Sequence, residues 1–208
     1  MNPFISRVLT AVAFTLFMSA GLTACGDDEV SSDEQARRAY LGLDESVSKA
    51  LQLGFAGFNA ASSANIPAQS APGGVSGTLF ISGQVDQGAS TNKGMRLRVG
   101  MATYSDGEVV VGEDEDPVNI TYASTTDTAT QPELNLQLRN IPNGTFSGTL
   151  KGPFQMTGDL EGEVTLDLTL AGEIEDDGTG KVRRKVGTTT VTGTATSGDG
   201  SYNVNLTR

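Results

Sequence analysis

FSGTLKGPFQMTGDLEGEVTLDLTLAGEI (residues 146–174) decides the fold. Every even position in it is apolar or Gly, from Phe146 and Leu150 through Phe154 and Met156 to Leu166, Leu168 and Leu170. Most odd positions are polar, which is the period of two expected of a strand with one face in water. At about 3.3 Å per residue the run would extend about 90 Å, so it must fold back on itself. A two-residue turn would exchange the faces, whereas the parity here is kept. The pattern therefore predicts a three-residue turn, Thr157-Gly158-Asp159, with Met156 opposite Leu160. Pro153, which lacks an N–H, then belongs at an edge or a bulge.

The same period extends on both sides. Val75 to Val85, Met95 to Met101, Val118 to Tyr122 and Leu134 to Leu138 alternate in the same way. Asp106-Gly107, Asn143-Gly144, Asp177-Gly178 and Asp199-Gly200 suit tight turns between them. A turn at Asp199-Gly200 pairs Leu206 with Gly193 and Val204 with Ala195, so Val191, Gly193 and Ala195 face inward. Val182 and Val186 have the opposite parity, which calls for a bulge near Gly187. Arg183, Arg184 and Lys185 read as charges that discourage edge pairing. Gly77, Gly83, Gly148, Gly162 and Gly172 lie among large residues on the inner face, the large/small alternation that fits a small barrel or strongly coiled sheet. The expectation is mainly β: an antiparallel barrel or strongly coiled sheet of about eight to nine strands over residues 75–208, with one N-terminal amphipathic helix packed on it. Glu161, Glu163, Asp167 and Glu173 point outward, where a membrane-spanning barrel would need apolar side chains.

That helix is predicted over residues 32–63. Ser31 and Glu34 match a capping box, and Asp33 adds negative charge at the helix start. Tyr40, Leu43, Val47, Leu51, Phe55 and Phe58 recur every three or four residues as one stripe. Gly42, Gly54 and Gly57 each weaken a helix by up to about 1 kcal/mol relative to Ala, so it needs a partner surface. Residues 64–74, with Pro67 and the run 68–74, read as a linker. Residues 32–208 are expected to form one folding unit.

The chain has 208 residues with 25 acidic and 14 basic side chains, no His, no Trp and one Cys, a formal charge of 14 − 25 = −11. This composition excludes disulfides, Cys/His zinc sites and imidazole catalysis. It also lacks the clustered Lys and Arg that nucleic acid requires. At the N-terminus, Arg7 precedes an apolar stretch from Val8 to Leu22, and the first acid is Asp27. A basic start, an apolar middle and small residues before a cleavage point make residues 1–24 a secretory signal. It ends Leu22-Thr23-Ala24-Cys25. These four residues resemble the lipobox of bacterial lipoproteins, the signal-peptidase recognition motif, over the first 25 residues only. The resemblance implies that Cys25 carries a diacylglyceryl thioether with fatty acids such as palmitate, and that cleavage occurs before it. Gly26, rather than Asp, implies the outer membrane. Two or three acyl chains give lasting attachment where one does not. Residues 25–31, with Asp27-Asp28-Glu29, form the tether. Removal of Arg7 leaves 13 − 25 = −12, which disfavours adsorption to anionic lipid, so attachment is expected to be covalent.

Candidate chemistry in the body of the chain is sparse. Ser46 and Lys49 have the Ser-x-x-Lys spacing of penicillin-binding enzymes, but no Ser-Asp-Asn or Lys-Thr-Gly element accompanies them. Glu113-Asp114-Glu115-Asp116 lacks the spaced ligands and Gly of a calcium loop and reads as a solvated loop. Asp176-Asp177-Gly178-Thr179-Gly180 reads as a hairpin tip, and Glu161 with Glu163 as surface charge. No catalytic residue, metal or cofactor is expected, nor nucleic acid as a partner. The expected protein is a monomeric, noncatalytic envelope lipoprotein, exported and held to the membrane through Cys25, acting as a structural or protein-interaction module. The alternative is a barrel-type binding protein for a small apolar or amphiphilic ligand. A large cavity lined by the even-numbered stripe would favour that alternative; a helix filling the space would remove its site.

Overall fold

A computed structural model describes residues 29–110, 112 and 114–208. Its elements run α1 (Asp33–Leu41), α2 (Asp44–Ala60), β1 (Asn65–Pro72), β2 (Ser76–Val85), β3 (Lys93–Ser105), β4 (Ile120–Ala123), β5 (Glu133–Arg139), β6 (Gly144–Gly158), β7 (Gly162–Asp176), β8 (Val182–Arg184), β9 (Thr190–Ser197) and β10 (Gly200–Thr207). All ten strands form one antiparallel sheet. β4 and β5 lie end to end between β3 and β6, so these four strands close a ring of pairings. β8 and β9 likewise follow one another along β7. No ladder joins β1 to β10 among the described residues. Instead α1 packs on β9 and β10 while α2 packs on β1, β2, β3 and β8. The sheet thus curls around a bent helix that bridges its two free edges, and residues 64–74 contain edge strand β1 rather than a linker.

The alternation observed in sequence is the alternation of burial. β7 buries Val164, Leu166, Leu168, Leu170 and Ile174 and exposes the residues between them. Leu134, Leu136 and Leu138 face the same core, as do Met95, Leu97, Val99 and Met101. These residues, with Tyr40, Val47 and Leu51 of the helices and Leu43 between them, make one continuous buried cluster. Two inner glycines show what the curvature demands. At Gly77 the register of β2 on β3 shifts and φ is +67°, opposite Thr103 at +45°, a bulge that L side chains resist. A Cβ on Gly172 would lie 2.9 Å from the ring of Phe146.

Registers differ from expectation by two residues at two places, with parity retained. Met156 pairs with Gly162, leaving a five-residue loop. β6 continues past Met156 because β4 pairs with it up to Gly158, and Asp159 exchanges hydrogen bonds with the backbone of Asn119. In the last hairpin Gly200 pairs with Ser197, Leu206 with Val191 and Val204 with Gly193, so the turn is Gly198-Asp199. There Ser197 Oγ accepts from Asp199 N and donates to Val30 O. Pro153 is neither on an outer edge nor in a bulge. It lies mid-strand where β6 changes partners, between Lys151, paired with β5, and Gln155, paired with β4. Near Gly187 the chain makes a wider excursion than a bulge. Arg184 pairs with Ile174 and Thr190 with Ala171, so three extra residues loop out and expose Val186.

The predicted single helix is broken at Gly42-Leu43. Its start lies one residue later than the expected capping box: Ser32 is the N-cap, its Oγ accepting from Gln35 N, while Gln35 Oε1 accepts from Ser31 N. At the break Gly42 N keeps its helical bond to Arg38 O, but Leu43 N turns to Tyr40 O, leaving the Ala39 carbonyl without its usual i+4 donor. The buried Tyr122 hydroxyl donates to it at 2.8 Å. A Cβ on Gly42 would sit 2.4 Å from that hydroxyl. Gly54 and Gly57 serve the same closeness, since added Cβ atoms would lie 2.8 Å from Met95 Sδ and 2.7 Å from Ile66 Cδ1. The three glycines that weaken the helix are where the sheet touches it. Phe55 and Phe58 are consequently rotated off the buried stripe and lie half-buried on its outer side.

Candidate functional site

Helix α2 spans a seam between edge strand β1 and the β7–β8 hairpin. Along its outer stripe, Phe55, Phe58 and Leu53 form the floor of a groove of about 940 Å³. Ala71 to Gly73 wall one side, Gly180 to Val182 the other, and Ile141-Pro142 closes the end. Past Gln52, which faces both spaces, a polar hollow of about 610 Å³ follows, lined by Ser48, Arg184, Lys185 and Arg208 among others. The large residues of the even-numbered inner stripe, from Phe146 to Ile174, are buried in the core and line neither wall of the apolar groove. The concave face of the sheet is filled by side chains and helix.

Two ion-pair clusters fasten α2 to the sheet beneath the seam. In the first, Arg184 grips Asp44 through two contacts of 2.9 Å, donates to the Asp44 carbonyl at 2.7 Å and to Ser48 Oγ at 2.9 Å. Tyr40 donates its hydroxyl to Asp44 at 2.6 Å, and Arg208 lies 3.8 Å from the same carboxylate. The Arg184 and Asp44 side chains are 8% and 13% exposed. Burial pushes the Asp44 carboxyl up, but the hydrogen bonds and charge of Arg184 outweigh it and hold it below its ordinary range. Arg184 does not guard an edge as the basic run suggests; it faces inward, on the same side of the sheet as its partner Ile174. In the second cluster Lys49 Nζ lies 2.5 Å from Asp106 Oδ1, and Tyr104 donates to Asp106 Oδ2 at 2.5 Å. Burial, then the Asp106 hydrogen bond and charge, push the Tyr104 hydroxyl well up. Lys93, buried beneath the groove, donates to Gly88 O and lies 4.4 Å from the centre of the Phe58 ring, a cation–π contact.

The residues singled out in sequence are dispersed. Leu22, Thr23, Ala24 and Cys25 lie outside the described residues. Ser46 and Lys49 do not face one another: Ser46 Oγ donates to Leu43 O at the helix break, and Lys49 is held by Asp106. Of the acidic run, Glu113 is outside the described residues and Glu115 pairs with Arg37. Asp176 and Asp177 cap the β7–β8 hairpin, accepting from Gly178 N and Gly180 N, and from Thr179 N and Lys181 N. Glu163 stands opposite Gln155 on the exposed face. Among the described residues no group of three or more His, Cys, Asp or Glu is placed to hold a metal ion, and no helix is long and apolar enough to cross a membrane. The inward side of Arg184 follows from alternation, but its partner Asp44, the role of Asp106 and the groove itself were not legible locally, because each is assembled from segments distant in sequence.

The chain matches no protein family, no curated protein and no solved structure.

Proposed function

We propose that this is a noncatalytic bacterial envelope lipoprotein, held to the outer membrane through acylated Cys25 and presenting its seam as an interaction surface. The observation that carries the reading is the placement of the two ends of the body. Val30 is tied to Ser197, and Glu29 lies against Gly162 and Gly198, at the loop end of β6 and β7. The apolar groove lies beyond the opposite end of those strands, near Ile174. Between them run twelve residue steps of β7, about 40 Å of strand. Cys25 is four residues from Glu29, a reach of at most about 14 Å. An anchor at Cys25 therefore keeps the loop end near the bilayer and directs the groove away from it, toward something other than the anchoring membrane. The packed interior supports a module that presents a surface over one that encloses a cargo.

The test is the mass of the membrane-purified protein and of its Cys25→Ala variant. The expected wild-type N-terminus is Cys25 bearing diacylglycerol, in the membrane fraction, with residues 1–24 removed only from wild type. Two products that differ by the point substitution alone would overturn the proposal.

A further inference from the structure

Asn143 is the one asparagine in the chain followed by Gly; the eight others between Asn59 and Asn205 precede Ala, Lys or a branched aliphatic residue. The turn into β6 requires that pair, since a Cβ on Gly144 would strike the Arg139 carbonyl, and only Gly lets two stretches of backbone approach so closely. Gly144 forms the end rung of the β6–β7 ladder, opposite Ile174. Extended two residues further out, that register sets Pro142 against Asp176. There Asp176 N donates at 3.1 Å to the side-chain carbonyl oxygen of the exposed Asn143. The Asn143 Nδ2 has no hydrogen-bond partner among the described residues. The requirements of intramolecular attack on an amide thus meet at one residue. The carbonyl is polarised by a fixed N–H that also suits the oxyanion formed on attack. The leaving nitrogen is unrestrained, and the next backbone nitrogen carries no side chain to hinder it.

We infer that Asn143 is a deamidation site, at which the chain modifies itself through a cyclic imide. Gly144 N attacks Asn143 Cγ and gives up its proton to water, forming the N–Cγ bond. The tetrahedral oxyanion is held by the Asp176 N–H until the Cγ–Nδ2 bond breaks, and Nδ2 takes a proton from water and leaves as ammonia. Water then adds to one of the two imide carbonyls, and the bond from that carbonyl to Gly144 N breaks. Opening at the side-chain carbonyl gives aspartate and opening at the main-chain carbonyl gives isoaspartate; nothing is oxidised or reduced. The nucleophile is freed by fraying of one terminal rung, which costs far less than global unfolding. Either product puts a new carboxylate into the hollow shared with Glu173, Glu175 and Lys185. Isoaspartate also inserts a methylene into the main chain, beside the hairpin whose Gly180–Val182 segment walls the apolar groove. The site depends neither on an occupant of that groove nor on acylation at Cys25.

The experiment is ageing of purified full-length protein at mildly alkaline pH, in detergent micelles where it carries acyl groups and in buffer where it does not, with folding followed by circular dichroism. Cleavage after Arg139 and Lys151 gives a peptide of residues 140–151 that contains Asn140 as an internal control. Expected is the amide-to-acid mass increase at Asn143, as a mixture of aspartate and isoaspartate, while the protein remains folded and the eight other asparagines stay amides. Asn143→Gln should abolish the acidic shift of the aged protein on isoelectric focusing, and Asn143→Asp should show that shift before any ageing. Conversion of Asn143 only in urea, equal conversion of Asn140, aspartate without isoaspartate, or an undiminished acidic shift in a folded Asn143→Gln protein would each overturn the inference.

Discussion

Gly42→Ala should destabilise this protein, although in an isolated helix the same change would stabilise it. Gly42 has φ −63° and ψ −19°, values any L residue adopts, so Ala meets no backbone strain and gains up to about 1 kcal/mol of helix propensity. Against this, the new Cβ would lie 2.4 Å from Tyr122 Oη, 3.0 Å from Cε2 and 3.1 Å from Cζ. Tyr122 is fully buried and cannot swing aside. Overpacking of this kind costs about 1–3 kcal/mol. Displacing the ring also breaks the bond to Ala39 O and leaves a buried hydroxyl and carbonyl unpaired, a further cost of about 1–3 kcal/mol. The net loss is about 2–4 kcal/mol, read from urea midpoints by far-UV circular dichroism at unchanged slope. For a body of this size that lowers Tm by roughly 5–15 °C. In a Tyr122→Phe background the hydroxyl clash is gone, so the penalty of Gly42→Ala should fall by at least about 1 kcal/mol. A Gly42→Ala protein as stable as wild type, or a strictly additive double variant, would refute the claim that the helix is broken to fit Tyr122.

The other two glycines should rank below Gly42 by the rigidity of what they touch. Gly57→Ala meets Ile66 near its branched Cβ and should cost about 1–2 kcal/mol, partly recovered with Ile66→Val, whereas Gly54→Ala meets the flexible end of Met95 and should cost less than about 1 kcal/mol in the same denaturation assay. Arg184→Met leaves the buried Asp44 carboxylate with Tyr40 and the distant Arg208, and should cost about 3–5 kcal/mol, much of it restored by adding Asp44→Leu. Because the folded Asp44 carboxyl is held below its unfolded value, its contribution is complete above the ordinary carboxylate range and is lost as pH falls toward its folded pKa. Urea midpoints taken from about pH 5 downward should therefore fall more steeply for wild type than for Arg184→Met, and parallel slopes would remove the pair from the account.

What the sequence made legible was the property that repeats locally. Burial of alternate residues is written into each strand, so the faces of β2, β3, β5, β6, β7, β9 and β10 follow from parity alone, and so does the curling of the sheet around large and small inner residues. Register is not local. The five-residue connection between the paired Met156 and Gly162 exists because β4 holds Thr157 and Gly158, and the pairing of β10 on β9 slips by two because Ser197 is committed to Asp199 and Val30. Edge strand β1 leaves no alternation in the sequence because in Asn65–Pro72 only Ile66 is buried, against Gly57 of the helix. Such a strand is specified by its neighbours, and two prolines disguise it as a connection.

The same reasoning separates the two kinds of charge in this molecule. Lys185 and Arg183 pair across a ladder with Glu173 and Glu175, residues 12 and 8 positions away, and remain about half exposed. Their contribution is small, as it is for surface pairs in general. Arg184 sits between them with the opposite side-chain direction and meets Asp44, 140 positions away. Alternation alone could have exposed this: three consecutive basic residues on a strand cannot all face water, and the middle one must point to the side where Ile174 is buried. An inward guanidinium demands a buried carboxylate, and Asp44, at the first turn of α2, can supply one where the helix crosses the seam. The pair fixes the helix against β8, and that contact defines the trough along its outer face. The candidate site is therefore a consequence of how the open edge of the sheet was closed.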